Sequence, residues 1–153
     1  YPFAFTNGVQ GCYIEVDVDT GLTKFLKYCV VEDCGTIINP LLVDEQIRGG
    51  VVQGMGGALF EECMYNDEGQ LLNGTMSGYL LPTASDAPDI EVAHIETPTA
   101  ESELGAKGAG EAGTGAAAAA IMNAINDAIA PLDGKVTQQP FTPERILKAI
   151  GKI

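Results

Sequence analysis

Apolar and polar residues alternate over Val9–Val18, with Cys12, Ile14, Val16 and Val18 on one side and Tyr13, Glu15 and Asp17 on the other. A period of two predicts a half-buried strand. Asp19-Thr20-Gly21 supplies turn chemistry and Thr23–Asp33 returns as a β-rich run, so the pair reads as an antiparallel hairpin. The stretch "CGTIINP" is a loop ending at Pro40. After it Val43, Ile47, Val51, Met55 and Leu59 recur every four residues, which marks one stripe of a helix to about Glu62. Gly49, Gly50, Gly54, Gly56 and Gly57 lie inside that helix. At about 1 kcal/mol per interior glycine relative to alanine, they weaken it by on the order of 5 kcal/mol. The pattern favours a helix packed closely on another backbone or a bulky ligand, against the alternative of a break near Gly56.

Further on, "YNDEGQL" reads as a tight turn between short strands, and "DIEVAHIET" as another strand. The segment "TGAAAAAIMNAINDAIA" predicts a strong helix, with Ile121, Ile125 and Ile129 on one stripe, Thr114 as its cap and Pro131 as its stop. Thr142-Pro143-Glu144 opens a last short helix. The sum is an α+β fold, antiparallel hairpins packed with three helices. No repeat or long linker divides it.

Composition narrows the function classes. The chain has 153 residues, one domain or a large piece of one, and 46% of them are hydrophobic, enough for a core. A formal net charge of −13 argues against nucleic acid or an anionic membrane as partner, and fits a soluble cytoplasmic surface. Cys12, Cys29, Cys34 and Cys63 form no C-x-x-C pair and His94 is the only histidine, so no metal-ligand set converges in the sequence. The cysteines read as thiols in a reducing compartment, and His94 as a structural residue in its strand. No apolar run reaches the length of a membrane span, and no signal peptide is visible. The chain opens on Tyr1 without a methionine, which reads as a processed product or a piece of a longer polypeptide.

The 19 glycines cluster, and one cluster, "LGAKGAGEAGTG", contains a literal G-x-G-x-x-G at Gly108–Gly113. A dinucleotide fingerprint needs a buried strand before it and an acid-bearing strand after it. The flanks "TPTAESELGAK" and "APLDGKVTQQP" supply neither, and no P-loop pattern is present. What remains is a loop free of bulky side chains, presenting Glu111 just before a helix. On pattern alone Glu111 reads equally as an acid favoured by the helix dipole or as a carboxylate offered to a ligand that the glycines let approach.

Three motifs together resemble the molybdenum hydroxylases, the family of xanthine dehydrogenase, aldehyde oxidase and aerobic carbon monoxide dehydrogenase large subunits. They are "VVEDCGTIINP" at Val30–Pro40, "DEQIRGGVVQGMGGALFEE" at Asp44–Glu62 and "GAKGAGE" at Gly105–Glu111. The resemblance runs over nearly the whole chain and is nearest to the bacterial carbon monoxide dehydrogenase type, which includes hydroxylases of N-heterocycles. It implies that residues 1–153 are a single partial domain, the C-terminal part of a molybdopterin-binding large subunit. It implies Glu111 as the general base beside molybdenum, Gln46 as a pterin contact, and Lys107, Gly108, Ala109 and Gly110 as backbone contacts to the cofactor. No side chain is expected to ligate metal. The implied cofactor is molybdopterin, in its cytosine dinucleotide form. The implied partners are the remaining large-subunit segment, an iron–sulfur subunit with [2Fe–2S] and a flavoprotein with FAD. The implied reaction hydroxylates an electron-poor carbon of an N-heterocycle or aldehyde, or oxidises carbon monoxide. The cysteine-bearing loop of true carbon monoxide dehydrogenases has no counterpart here, and Cys34 belongs to a different segment. The alternatives are a fragment or structural module without activity of its own and, third, a nucleotide-binding protein.

Overall fold

The computed structural model describes residues 4–153, so Tyr1 lies outside the described residues. Two long strands, β1 (Asn7–Val16) and β2 (Thr23–Asp33), form the antiparallel hairpin, with a register shift between Tyr13 and Ile14. Asp17 builds the turn: its Oδ1 accepts the N–H groups of Asp19 at 2.8 Å and Thr20 at 3.3 Å. Ile14 is buried while Tyr13 is 69% exposed, as the alternation requires. The strand stops two residues short of the expected Val18, because Asp17 is consumed by the turn.

The glycine-rich helix forms without a break. α1 (Pro40–Leu59) is capped by Asn39, whose side chain accepts the Leu42 N–H, and starts on Pro40, where no N–H is needed. Ile47, Val51, Met55 and Leu59 are buried along the predicted stripe. It ends at Leu59 rather than Glu62, where Phe60 and Glu61 both turn back onto the Gly56 carbonyl.

The third strand, β3 (Ile90–His94), adds in parallel to β2, giving the order β1-β2-β3. It is therefore not part of a second hairpin. The turn around Asn66–Gly69 forms, but the flanking short strands do not; a single bridge joins Tyr65 and Leu71. Side chains replace the ladder there, since Asn73 donates to the Glu62 carbonyl at 2.6 Å and accepts the Met64 N–H at 3.0 Å.

The alanine-rich segment divides into a four-residue turn of helix, α2 (Ala112–Gly115), and α3 (Ala117–Ile129), followed by a 3-10 turn at Ala130–Leu132 that contains Pro131. Thr114 does not cap it: its hydroxyl reaches across to the Gly50 carbonyl at 3.0 Å instead. Ile121, Ile125 and Ile129 are buried in the core with Tyr28, Val30, Phe141 and the α1 stripe. α4 (Pro143–Ala149) is capped by Thr142 and seats Ile146 in the same core. The fold is α+β, a three-stranded sheet covered by helices, and no described helix is long and apolar enough to cross a membrane.

Candidate cofactor site under a glycine loop

Close packing explains three of the five helix glycines. A Cβ at Gly50 would meet Gly113 Cα at 3.1 Å, one at Gly54 would meet Ala117 Cβ at 2.5 Å, and one at Gly56 would strike Glu61 and Pro82. Reciprocally, a Cβ at Gly113 would fall 2.3 Å from the Ile47 carbonyl oxygen. α1 thus lies directly against α2 and the start of α3. Gly49 and Gly57 face open space.

That contact seats the loop carrying Glu111. Upstream, the Gly35–Ala106 bridge and the bonds Thr36 N–H to Gly105 O (3.1 Å) and Lys107 N–H to Cys34 O (2.7 Å) stitch the loop to the end of β2. Gly35 and Gly105 both hold positive φ, and a Cβ on Gly35 would strike the Gly105 carbonyl, so this crossing demands glycine. Downstream, Gln46 on α1 donates its Nε2–H to the Gly110 carbonyl at 2.8 Å. Glu111 follows at the N-cap of α2, exposed and without a side-chain capping bond.

The loop borders an open cavity of about 500 Å³, lined by Thr6, Asn7, Gly8, Glu32, Gly108, Gly110, Glu111, Ala112, Gly115 and Ala116. Gly108, Gly110 and Gly115 offer bare backbone, since nothing stands within 4 Å of a Cβ there. No group among the described residues accepts the N–H of Gly108, Ala109 or Gly110, and none pairs with the Glu111 carboxylate. Gln46 keeps its carbonyl oxygen free of a donor from the described residues. The cavity wall thus presents the free N–H groups of Gly108 and Gly110 and the unpaired Glu111 carboxylate, with the Gln46 amide held beside them at Gly110. It fits a large cofactor with phosphate oxygens and ring N–H groups.

Of the residues singled out from sequence, Gln46, Gly108, Gly110 and Glu111 come together here. Lys107 turns away: its ammonium pairs with Asp33 at 2.9 Å, both side chains 7% exposed, and its N–H is taken by Cys34. His94 binds Asp44 at 2.6 Å and so ties β3 to α1. Among the described residues no three or more His, Cys, Asp or Glu side chains converge as a metal site.

Thr6, Asn7, Gly8 and Glu32 escaped the sequence reading. Glu32 stands opposite Gly8 in the β1–β2 register and is 2% exposed. A Cβ at Gly8 would fall 2.1 Å from Glu32 Oε2, so the glycine opens the space into which the carboxyl folds. Burial pushes the Glu32 carboxyl up, against the opposing effects of the Gln10 side chain and His94. Its neighbour Asp33 has the opposite fate. Hydrogen bonding from Thr97 first, then the Lys107 ammonium and the Gly35 N–H, hold Asp33 well below the usual carboxylate range. An acid facing a glycine on the paired strand is the signal that could have marked Glu32.

In this α+β fold a glycine loop, clamped by the glycine-rich helix through Gln46, borders an open cavity, an arrangement that fits a cofactor-binding domain. Residues 1–88 match the model of the molybdopterin cofactor-binding domain. The chain belongs to that family. It is 45% identical over 145 residues to the nicotine 6-hydroxylase large subunit of Paenarthrobacter nicotinovorans, a match covering 95% of this chain and 18% of that protein. It is 34% identical over 148 residues to the carbon monoxide dehydrogenase large chain of Afipia carboxidovorans, covering 97% of this chain and 18% of that one. Among solved structures, quinoline 2-oxidoreductase from Pseudomonas putida 86 superposes with a TM-score of 0.86 at 46% identity, over 90% of this chain and 17% of that chain. The chain thus spans under a fifth of the length of these relatives.

Proposed function

We propose that this chain is the C-terminal, cofactor-cradling part of the large subunit of a molybdenum hydroxylase, and that Glu111 is the general base of its reaction. One observation carries the reading: Glu111 is unpaired among the described residues and borders a cavity walled by bare glycine backbone. A base must be free to take a proton, and a carboxylate tied into an ion pair is not.

When bound, the molybdenum cofactor, in its cytosine dinucleotide form, supplies a Lewis-acidic redox centre able to take two electrons. The Gly108, Ala109 and Gly110 N–H groups would hold its anionic oxygens, and the Gln46 carbonyl would accept a pterin N–H. Gln46 also fixes Gly110, which orients Glu111. Glu111 would take, at a carboxylate oxygen, the proton of the water-derived hydroxyl that adds to an electron-poor carbon, and the two electrons released would go to the bound cofactor.

Identities of 45% and 46% to enzymes named for nicotine and quinoline, against 34% for a carbon monoxide dehydrogenase, favour an N-heterocycle as substrate over an aldehyde or carbon monoxide. The remaining large-subunit segment completes the cofactor site, and iron–sulfur and flavoprotein subunits with [2Fe–2S] and FAD carry electrons away. The apolar residues left uncovered here, among them Leu41, Leu42, Leu72 and Met76, support burial against further polypeptide. The test is to purify the complete enzyme carrying this chain, measure molybdenum and pterin, and assay hydroxylation of N-heterocycles, aldehydes and carbon monoxide with a dye acceptor. Stoichiometric molybdenum with N-heterocycle turnover is expected; a fully assembled complex without molybdenum overturns the reading.

A further inference from the structure

The Asp33–Lys107 pair joins the last residue of β2 to the loop four residues ahead of Glu111. Its charges are 2.9 Å apart and its side chains are each 7% exposed. The same Asp33 Oδ1 accepts the Gly35 N–H at 2.9 Å and the Thr97 N–H at 3.1 Å. Three separate segments therefore converge on one carboxylate oxygen: the turn after β2, the strand exit after β3, and the glycine loop. Among the described residues the sheet next touches this segment past Glu111, where Gln10 of β1 donates to the Gly113 carbonyl at 2.8 Å. Residues 108–110 cross the cavity edge with Gln46 as the next anchor, at Gly110.

We infer that Asp33 and Lys107 are a positioning pair for the candidate base, fixing the upstream end of the loop so that Glu111 projects at a set point on the cavity wall. The inference rests on the proposed role of Glu111. A glycine-rich segment has little side-chain packing to hold it, so its path depends on its anchors. A buried ion pair suits the task, because any loop movement that separates the charges leaves one buried and uncompensated. An apolar anchor would let the loop slide at little cost. The bonds that keep the Asp33 carboxyl ionised are the same ones that hold the three segments together.

The test uses the complete enzyme carrying this chain, with turnover counted per molybdenum. Asp33→Asn keeps the shape and the acceptor for both N–H groups but loses the charge; Lys107→Met keeps the stem alone. Each is expected to lower kcat by about tenfold to a hundredfold, with KM within about threefold of wild type. Because the pair acts through Glu111, Asp33→Asn placed on Glu111→Gln should add less than about a twofold further loss. Amide hydrogen exchange over residues 105–111 should accelerate in both single variants, whether or not the enzyme turns over. Wild-type kcat per molybdenum in the single variants, unchanged exchange, or fully multiplicative losses in the double variant overturns the inference. If one variant fails to assemble, the other decides. If Glu111→Gln itself turns over normally, the base assignment falls, and the positioning role falls with it.

Discussion

Gln46 donates to the carbonyl of Gly110 at 2.8 Å, one residue before Glu111. The helix whose glycines admit α2 thus also supplies the clamp on the loop that leads into it. Gln46 sits one position before Ile47, whose carbonyl oxygen forbids a side chain at Gly113. Helix contact and loop clamp are consequences of one close approach.

Gln46→Glu keeps the size of this side chain and replaces its donor with a second acceptor facing the Gly110 carbonyl. Loss of the bond removes about 1 kcal/mol of local stabilisation and adds repulsion. The expected outcome is molybdenum per polypeptide well below wild type in the purified enzyme, measured by elemental analysis. Wild-type metal content would show that the clamp is dispensable.

The helix glycines divide into two classes with opposite predicted signs. Gly113→Ala places a methyl against the Ile47 carbonyl and the Val51 nitrogen, both backbone, and should lower stability by about 1–3 kcal/mol. Gly49→Ala meets no atom within 4 Å in the middle of α1 and should raise it by about 0.5–1 kcal/mol. Thermal melts of the two variants side by side check the division.

The hairpin, α1 and α3 were legible in the hydrophobic periods, because each buries one stripe in a shared core, and α4 in its Thr142-Pro143 start. The parallel docking of β3 was not, since its partner strand is distant in sequence and no turn residue announces it. Thr114 was misread as a cap because a hydroxyl that can bond locally reaches the Gly50 carbonyl instead. In the site, Gln46 and Glu111 were visible as motif residues. Asp33–Lys107 and Gly8–Glu32 were not, because their meaning exists only once β2 is paired with β1 and crossed by the loop.

The two adjacent acids predict opposite pH behaviour. Asp33 has a depressed carboxyl in the fold, so its stabilisation is complete above the unfolded value of about 4 and is lost as pH falls below it toward the folded value. In urea melts at about pH 5, 4 and 3, wild type should lose stability more steeply than Asp33→Asn. Equal slopes would mean that the pair does not favour the ionised carboxylate.

Glu32 has a raised carboxyl, so the cost of ionising it sets in as pH climbs from about 4 through the folded value. Glu32→Gln should raise the thermal midpoint at about pH 7 and change it little below about pH 4. A lower midpoint at neutral pH would show that the ionised Glu32 stabilises the fold.

The central claim is that Glu111 works as a base at a cavity built for molybdopterin. Turnover per molybdenum of Glu111→Gln in the complete enzyme tests it most directly. Wild-type molybdenum content with kcat reduced by about a hundredfold to ten-thousandfold, the range for losing a general base, is expected. Full metal content with near-normal turnover would contradict it.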